Sequence, residues 1–252
     1  MSAIEIIENN IGYFEAISLE EMDAVALMNR TDTKFILTDY QLIDILEKIE
    51  PKYRCLDIKG VRLSSYNSQY FDTNNHKFYF QHHRGQAGRI KVRIRKYVES
   101  DIAFLEIKRK NKKGDTVKKR VAIDGFKERL EEEQLAFLKE SKMPDVDIVP
   151  ILTNSFKRIT LVNKESIERA TIDIDLRFNE GNAFDGKKGG LVIIEVKQPG
   201  LDRNSPIIKA LKESGIRTER VSKYCVGLAK LNPTLKQNGF KSKFLKINKT
   251  TG

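Results

Sequence analysis

Residues 89–97 read RIKVRIRKY, a run in which every second side chain is a cation. The basic residues Arg89, Lys91, Arg93 and Arg95 alternate with Ile90, Val92 and Ile94. Because successive side chains of a strand point to opposite faces, the run predicts a strand with one cationic and one aliphatic face. Cations on one face would lie about 7 Å apart and repel by roughly 2 kcal/mol at an effective dielectric of ~20. Such a concentrated row favours a strand that faces a polyanion.

The same alternation recurs in later segments of the chain. Aliphatic positions alternate with charged ones: Leu105 and Ile107; Ala170, Ile172, Ile174 and Leu176; Val192, Ile194 and Val196. An ordinary half-solvated sheet explains any single strand of this kind. The repetition instead predicts an α+β fold built as a closed antiparallel β-barrel, with a charged lumen and helices packed on its aliphatic outside.

Turn and capping signals divide the chain into elements of one domain, residues 1–232. Strands are predicted at about 30–37, 61–72, 89–98, 102–110, 116–124, 155–163, 167–177 and 190–197. Helices are predicted at about 19–28, 39–49, 126–141 and 219–231, with another opened by Ser205 and Pro206. Residues 233–252 hold five lysines and no acid, which predicts a basic, mobile tail.

The net charge of +11 is concentrated in one window of the sequence. Residues 84–120 contain fourteen Lys or Arg and four acids, which leaves 32 basic and 31 acidic residues elsewhere. A local basic window indicates an anionic ligand or partner.

Cys55 and Cys225 lack metal-ligand spacing. The chain contains no run of 18 apolar residues and no secretory start, so we expect a soluble, cytoplasmic protein.

Seven short motifs occur in order along the chain. They are YFDT (70–73), RIKVRIRKY, FLEIKRKNKKGDTVKKR (104–120), SFKR (155–158), ERATIDIDL (168–176), VIIEVK (192–197) and SKY (222–224). Together they resemble the VTC domain, the catalytic domain of the vacuolar transporter chaperone proteins, over about residues 30–230. This family belongs to the triphosphate tunnel metalloenzymes, closed antiparallel barrels related to the CYTH phosphatases. The resemblance implies a polyphosphate polymerase that transfers the ATP γ-phosphate to a growing polyphosphate chain, with Mn²⁺ or Mg²⁺.

The resemblance also implies a set of site residues. The catalytic cations would be Lys34, Arg93, Arg95, Lys108, Lys118, Arg120, Arg158, Arg169 and Lys223. Phosphates of ATP and polyphosphate would be bound by Arg93, Arg95, Lys108, Arg158 and Arg169. Glu195 would bind the metal, helped by Glu106 or Asp173. The alternatives are a salt bridge from Glu195 to Lys197 or to an arginine of the lumen, and pairing of Asp173 and Asp175 with neighbouring arginines.

Two features separate the candidate functions. The phosphatase branch of the family opens with Glu-x-Glu-x-Lys, whereas here Arg30 takes the place of the first acid in residues 30–34. This departure favours the polymerase over a metal-dependent triphosphatase, which stays an alternative. A non-catalytic polyphosphate or nucleic-acid binder is a lesser alternative. Binders of single strands interleave aromatic residues for base stacking, and residues 84–120 contain only Tyr97 and Phe104.

Eukaryotic members of this family carry the domain beside phosphate-sensing and transmembrane segments. Neither kind of segment is found in this sequence. We therefore expect export of a product across a membrane to require another protein.

Overall fold

The structure is a computed structural model that describes residues 1–24, 30–111, 115–179, 181 and 186–252. The strands are β1 (Glu15–Ile17), β2 (Thr31–Thr38), β3 (Tyr53–Leu56), β4 (Ser64–Asp72), β5 (Ile90–Tyr97), β6 (Ile102–Lys110), β7 (Thr116–Ile123), β8 (Val149–Asn163), β9 (Arg169–Phe178) and β10 (Leu191–Gln198). The α-helices are α1 (Ala3–Gly12), α2 (Leu19–Ala24), α3 (Asp39–Ile49), α4 (Lys77–His83), α5 (Glu132–Glu140), α6 (Pro206–Glu213), α7 (Lys223–Leu231) and α8 (Lys241–Thr251). Short 3-10 turns span Glu50–Lys52 and Asn238–Phe240.

Side-chain caps explain where several helices begin. Thr38 Oγ1 accepts a hydrogen bond from the Gln41 amide, and the Gln41 side chain accepts one from the Thr38 amide, which is the predicted capping box of α3. Ser205 caps α6, with Pro206 at its first position. The described part of α2 ends at Ala24, so the predicted residues 25–28 lie outside the described residues. The predicted helix at 126–141 is shorter than expected, since α5 begins only at Glu132.

The strands form a large, mainly antiparallel sheet in the order β2-β10-β9-β8-β4-β5-β6-β7. At one side β3 pairs with β8, and β1 pairs in parallel with β3. Within the described residues, β2 and β7 do not pair with each other, so the sheet is open. The expected closed barrel is therefore not observed. Alternation along a strand predicts which face a side chain occupies, but carries no information on whether two edge strands meet.

The open sheet nevertheless curls around its charged face. Lys108 on β6 and Glu195 on β10 lie within electrostatic reach of each other. These strands are five positions apart in the sheet, about 24 Å if it were flat. The charged face of the curled sheet is called the trough below.

The aliphatic faces pack on the outer helices, as the alternation predicts. One core cluster joins Ile172 and Val192 to α1, α3 and α6 through residues such as Ile45. Another cluster joins Val92 of β5 and Leu105 of β6 to the α5 region. Burial of these aliphatic side chains leaves the opposite, charged sides of the same strands facing the trough.

A bulge in β9 breaks the predicted alternation at Asp175. This residue has a left-handed backbone, with φ of 49°, and the register against β8 shifts beside it. The extra residue turns the following side chains to the other face. Leu176 was expected beside Ile174, but it packs in the cluster beneath α7, whereas Ile174 packs with the outer helices.

Helices α7 and α8 cover one end of the trough. Ile36, Leu176 and Ile193 pack there against α7. Where the sequence predicts a mobile tail after Pro233, the structure has a 3-10 turn and α8, with Phe240 and Ile247 buried. Apolar residues at helical spacing make this packing favourable despite the lysine density. Among the described residues, no helix has the length and apolar composition needed to span a bilayer.

Candidate functional site

Strand pairing brings predicted cations from distant parts of the sequence to the trough. Arg93 on β5 lies opposite Glu106 on β6, and Glu106 lies opposite Arg120 on β7. Lys108 lies opposite Lys118. Three more cations approach from the other side, and each lies beside a carboxylate of the trough. They are Lys34 of β2, Arg158 of β8 and Lys223 at the start of α7.

Asp173 holds two of these cations at the centre of the trough. Arg158 donates to it through two atoms, Nε to Oδ1 at 2.6 Å and Nη2 to Oδ2 at 2.8 Å. Lys223 Nζ also donates to Oδ2. Although burial opposes ionisation, these cations hold the pKa of Asp173 well below its usual range. Asp173 thus orients an arginine and a lysine, as the alternative of pairing with neighbouring arginines expects. Its role as a helper in metal binding stays a prediction.

Glu106 plays the same part on the other side of the trough. It is buried, with its side chain 1% exposed, and accepts from Arg93 Nε at 2.8 Å. Lys118 pairs with its other oxygen. Burial opposes the charge of Glu106, but Arg93, Arg95 and Lys118 keep its pKa well below the ordinary value. Its expected role as a metal helper is therefore not supported by its contacts.

Arg95 differs from Arg93 and Arg158 because it has no carboxylate partner among the described residues. It is 8% exposed, and its Nε has no hydrogen-bond partner. Burial, then the charges of Arg93 and Arg158, lower its pKa to about 10. Ser68 lies opposite Arg95, and Asn154 lies opposite Ser68. The side-chain polar atoms of both are also buried and unpartnered, so three neighbouring groups form a polar floor that can bind an anion.

Several lysines of the trough are held in conditions that disfavour their charge. Burial, more than neighbouring cations, lowers the pKa of Lys91, Lys197 and Lys223 to about 8. Burial, then Arg93 and Arg95, lowers that of Lys108 well below its ordinary value. An anion in the trough would relieve this repulsion, which makes the lysines suited to a polyanionic ligand.

Glu195 and Asp32 form the acidic part of the trough. Glu195 lies 3.3 Å from Lys34 Nζ, so its salt bridge is to that lysine rather than to Lys197 or an arginine. Burial opposes its charge, but Lys34 and Lys197 hold its pKa well below the usual range. Burial, and then the charge of Glu195, raise the pKa of Asp32, which places the two carboxylates close together.

This donor set suits a hard divalent cation. Mg²⁺ and Mn²⁺ prefer oxygen ligands, and Mg²⁺ is commonly bound by one or two carboxylates together with substrate phosphates. Asp32 and Glu195 supply such a pair beside the phosphate-binding cations. The described part of the chain contains no group of three or more His, Cys, Asp and Glu residues that could hold a metal alone.

Two predicted cations lie away from the centre of the trough. The Arg120 guanidinium is exposed and lies 4.6 Å from the centre of the Phe104 ring. Arg169 is on the trough side of β9, at the end where it pairs with Lys197, and donates to the Met22 carbonyl at 2.8 Å. Their roles in phosphate binding stay predictions.

The YFDT and SKY motifs meet at a buried carboxylate. Asp72 accepts from the amides of Phe78 and Tyr79 at 2.8 and 2.9 Å, which fixes the start of α4. It also accepts from the hydroxyl of Tyr224, the residue after Lys223. Asp72 therefore ties α7 to the sheet and positions Lys223 over the trough.

The sequence did not assign Ser68, Asn154 or Asp32 to the site. It placed Lys91 only at the mouth of the expected tunnel, and Lys197 only as an alternative salt-bridge partner of Glu195. The parity of Lys91 with Arg93, and of Lys197 with Glu195, was a usable signal for the two lysines. Ser68 and Asn154 carry no such signal, because small polar residues are common in half-solvated strands.

A curled antiparallel sheet with a trough of arginines and lysines defines a class of protein suited to binding a polyanion. The model of the VTC domain matches residues 29–232, so the chain belongs to the VTC domain family. No curated protein matches the chain.

Solved structures resemble this fold at low sequence identity. A Bacillus halodurans protein described as a candidate adenylate cyclase has a TM-score of 0.50 and 14% identity, over 77% of this chain and 96% of that one. An adenylyl cyclase candidate from Hippeastrum with a dominant triphosphatase activity has a TM-score of 0.46 and 14% identity, over 79% of this chain and 94% of that one. A Vibrio parahaemolyticus protein, also a candidate adenylate cyclase, has a TM-score of 0.45 and 11% identity, over 79% of this chain and 97% of that one. The first likeness supports the fold alone.

Proposed function

We propose that this protein is a metal-dependent polyphosphate polymerase, which transfers the γ-phosphate of ATP to the end of a polyphosphate chain lying in the trough. The observation that carries the proposal is the polar floor, where Arg95 Nε and the side-chain polar atoms of Ser68 and Asn154 are buried without hydrogen-bond partners. Two oriented arginines, Arg93 and Arg158, lie beside it. Membership of the VTC domain family adds support. A cytoplasmic location, where ATP is available, is part of this proposal.

Phosphoryl transfer requires positioning and charge balance more than covalent chemistry from the protein. Arg93 and Arg158 have their guanidinium planes fixed by Glu106 and Asp173, so their remaining donors can meet phosphate oxygens without reorganisation. Lys108, Lys118 and Lys223 add point charges along the chain of phosphates. Together these residues would align the donor and acceptor phosphates and balance the charge of the transferred group.

The proposal includes a divalent cation held by Glu195 and Asp32, with Mn²⁺ or Mg²⁺ as the expected ions. Such an ion would supply charge neutralisation at the bridging phosphate oxygens. Lys34, paired with Glu195, would keep that carboxylate ionised and turned toward the trough.

A metal-dependent triphosphatase is the second candidate. It would hold its metal with the same Asp32 and Glu195 carboxylates, although Arg30 replaces the first acid of the phosphatase motif. Arg30 pairs with Asp32 at 3.1 Å, which reduces the negative charge available to the ion and supports the polymerase.

Product analysis tests the proposal. Purified protein with ATP and Mn²⁺ should form an acid-labile polymer that a polyphosphatase degrades. Arg93→Ala and Glu195→Ala should each abolish the polymer, while Lys52→Ala, at a surface salt bridge with Glu165, should leave it unchanged. Release of monophosphate alone, at every metal concentration, would replace the polymerase with the triphosphatase. Loss of polymer in Arg93→Ala but not in Glu195→Ala would remove the metal assignment.

A further inference from the structure

The lining of the trough changes from cations to aromatic rings along β5 and the strands beside it. Along β5 the residues facing the trough are Lys91, Arg93, Arg95 and then Tyr97. On β6, Phe104 follows Lys108 and Glu106 in the same direction. Tyr66 of β4 lies opposite Tyr97, and Phe156 of β8 lies opposite Tyr66. These four rings are called the aromatic belt.

The rings of the belt contact one another in a continuous line across four strands. Ring centroids are 5.3 Å apart for Phe156 and Tyr66, 5.0 Å for Tyr66 and Tyr97, and 6.0 Å for Tyr97 and Phe104. Phe156 is buried, whereas Tyr97 and Phe104 are half-buried. The belt therefore has a closed inner end and an open outer end.

The open end of the belt carries a cation placed for stacking. The Arg120 guanidinium lies over the Phe104 ring at 4.6 Å, and Tyr97 meets the same ring edge-on at an interplanar angle of 87°. Among the trough residues described, Arg120 forms no ion pair with a carboxylate. Because that guanidinium already covers the ring, a planar heteroaromatic group would stack on Phe104 by displacing the exposed Arg120 side chain outward, and would then contact both.

The spacing from the phosphate-binding arginines fits a nucleotide. Phe104 lies opposite Arg95, which follows Arg93 by two residues on the same face, so Phe104 is about 7 Å along the strand from Arg93. A ribose spans a distance of this order between the α-phosphate and the base. Phosphates bound at Arg93 would thus leave the base beside Phe104, at the open end of the belt.

We propose that the purine base of a nucleoside triphosphate stacks on Phe104 beneath Arg120, with Tyr97 closing one edge of the site. This inference rests on the proposed function, because it assigns the base of the phosphate donor to a place in the trough. It gives Arg120 a role in stacking in addition to its charge.

Equilibrium binding separates the base from the phosphates. Dissociation constants for ATP, UTP and inorganic tripolyphosphate are measured by calorimetry with EDTA present to prevent turnover. Phe104→Leu removes the ring but keeps an apolar side chain, Phe104→Tyr keeps the ring, and Phe126→Leu is the same change at an exposed phenylalanine outside the trough. Circular dichroism melts confirm that each variant is folded.

The expected result for Phe104→Leu is a loss of affinity for ATP without a loss of affinity for tripolyphosphate. Phe104→Leu should weaken ATP binding about tenfold, within the range measured for stacking of one base on an aromatic residue, and leave tripolyphosphate binding within about twofold. Phe104→Tyr and Phe126→Leu should bind ATP as the wild type does. The wild-type protein should prefer ATP to UTP, and Phe104→Leu should lose most of that preference.

Other outcomes overturn one proposal or both. Unchanged ATP affinity in Phe104→Leu, with tripolyphosphate binding intact, overturns the stacking site alone. An equal loss for ATP and tripolyphosphate overturns it too, since the change would then have disturbed the phosphate site. Absence of tripolyphosphate binding in the wild-type protein overturns the proposed function itself.

Discussion

The cations of the trough fall into two groups that differ in their partners. Arg93, Lys118, Arg158 and Lys223 share two buried carboxylates, Glu106 and Asp173. In contrast, Arg95, Lys91 and Lys108 form no ion pair with any described carboxylate. The pKa of Arg158 is raised, with Asp173 outweighing burial, whereas that of Arg95 is lowered by burial and neighbouring cations. The contrast indicates that the carboxylates orient the first group, while the second keeps its charge free for a ligand.

The largest expected effect is on stability, at the paired group. Asp173→Ala would leave Arg158 and Lys223 buried without a partner, and it should lower the free energy of unfolding by about 3–5 kcal/mol. Urea unfolding monitored by circular dichroism measures this. Glu165→Ala, at the exposed ion pair with Lys52, is the matched control and should cost under about 1 kcal/mol. Equal losses in the two variants would show that Asp173 does not organise the trough.

The second effect is on binding, at the unpaired group. Arg95→Met should weaken tripolyphosphate binding by about 10- to 100-fold, because a charge-assisted hydrogen bond contributes about 1.5–3 kcal/mol. Its free energy of unfolding should stay level or rise, since a buried charge without a partner is removed. Calorimetry measures the affinity for tripolyphosphate, and urea unfolding measures the free energy of unfolding. A strong loss of stability would mean that Arg95 belongs with the paired cations after all.

The smallest effect is on pH dependence. Lys91 and Lys197 have pKa values of about 8, below the ordinary lysine value of about 10.4, and a bound polyanion would raise them. Tripolyphosphate binding should therefore weaken from pH 7 to 9, by up to about tenfold per lysine. Over the same interval the ligand-free protein should become more stable, because the unfolded chain then holds more protons than the folded one.

Titration by calorimetry at each pH, with urea unfolding alongside, measures both trends. Lys91→Met should flatten the affinity profile. Equal affinity at pH 7 and 9 in the wild-type protein would contradict the lowered pKa values.

Much of the fold could be predicted because alternation is a local property. The run from Ile90 to Tyr97 and the face of Arg93 and Arg95 follow directly from a period of two. The prediction failed at Leu176 because one residue in a left-handed conformation, Asp175, reverses the faces beyond it. Neither φ at Asp175 nor the register against β8 is readable from the alternation pattern.

The site was less predictable because its decisive contacts join distant strands. Glu106 and Asp173 were candidates for metal binding, and only the strand pairing and α7 show that cations occupy them. The family resemblance supplied the positions of the cations, and the structure adds which of them are paired. The polar floor at Ser68 and Asn154 depends on burial beneath other elements, which no short motif encodes.

The open side of the sheet has a consequence for a growing polymer. Within the described residues, β2 and β7 do not pair with each other, although β2 forms an isolated bridge to Thr218, so the strands close a trough and not a tube. A polymer in a tube must be threaded by its end, whereas one in a trough can leave sideways at any length. Product would then be retained by charge alone. For the proposed polymerase, processivity would follow ionic strength, because salt screens that attraction over about 10 Å at 0.1 M.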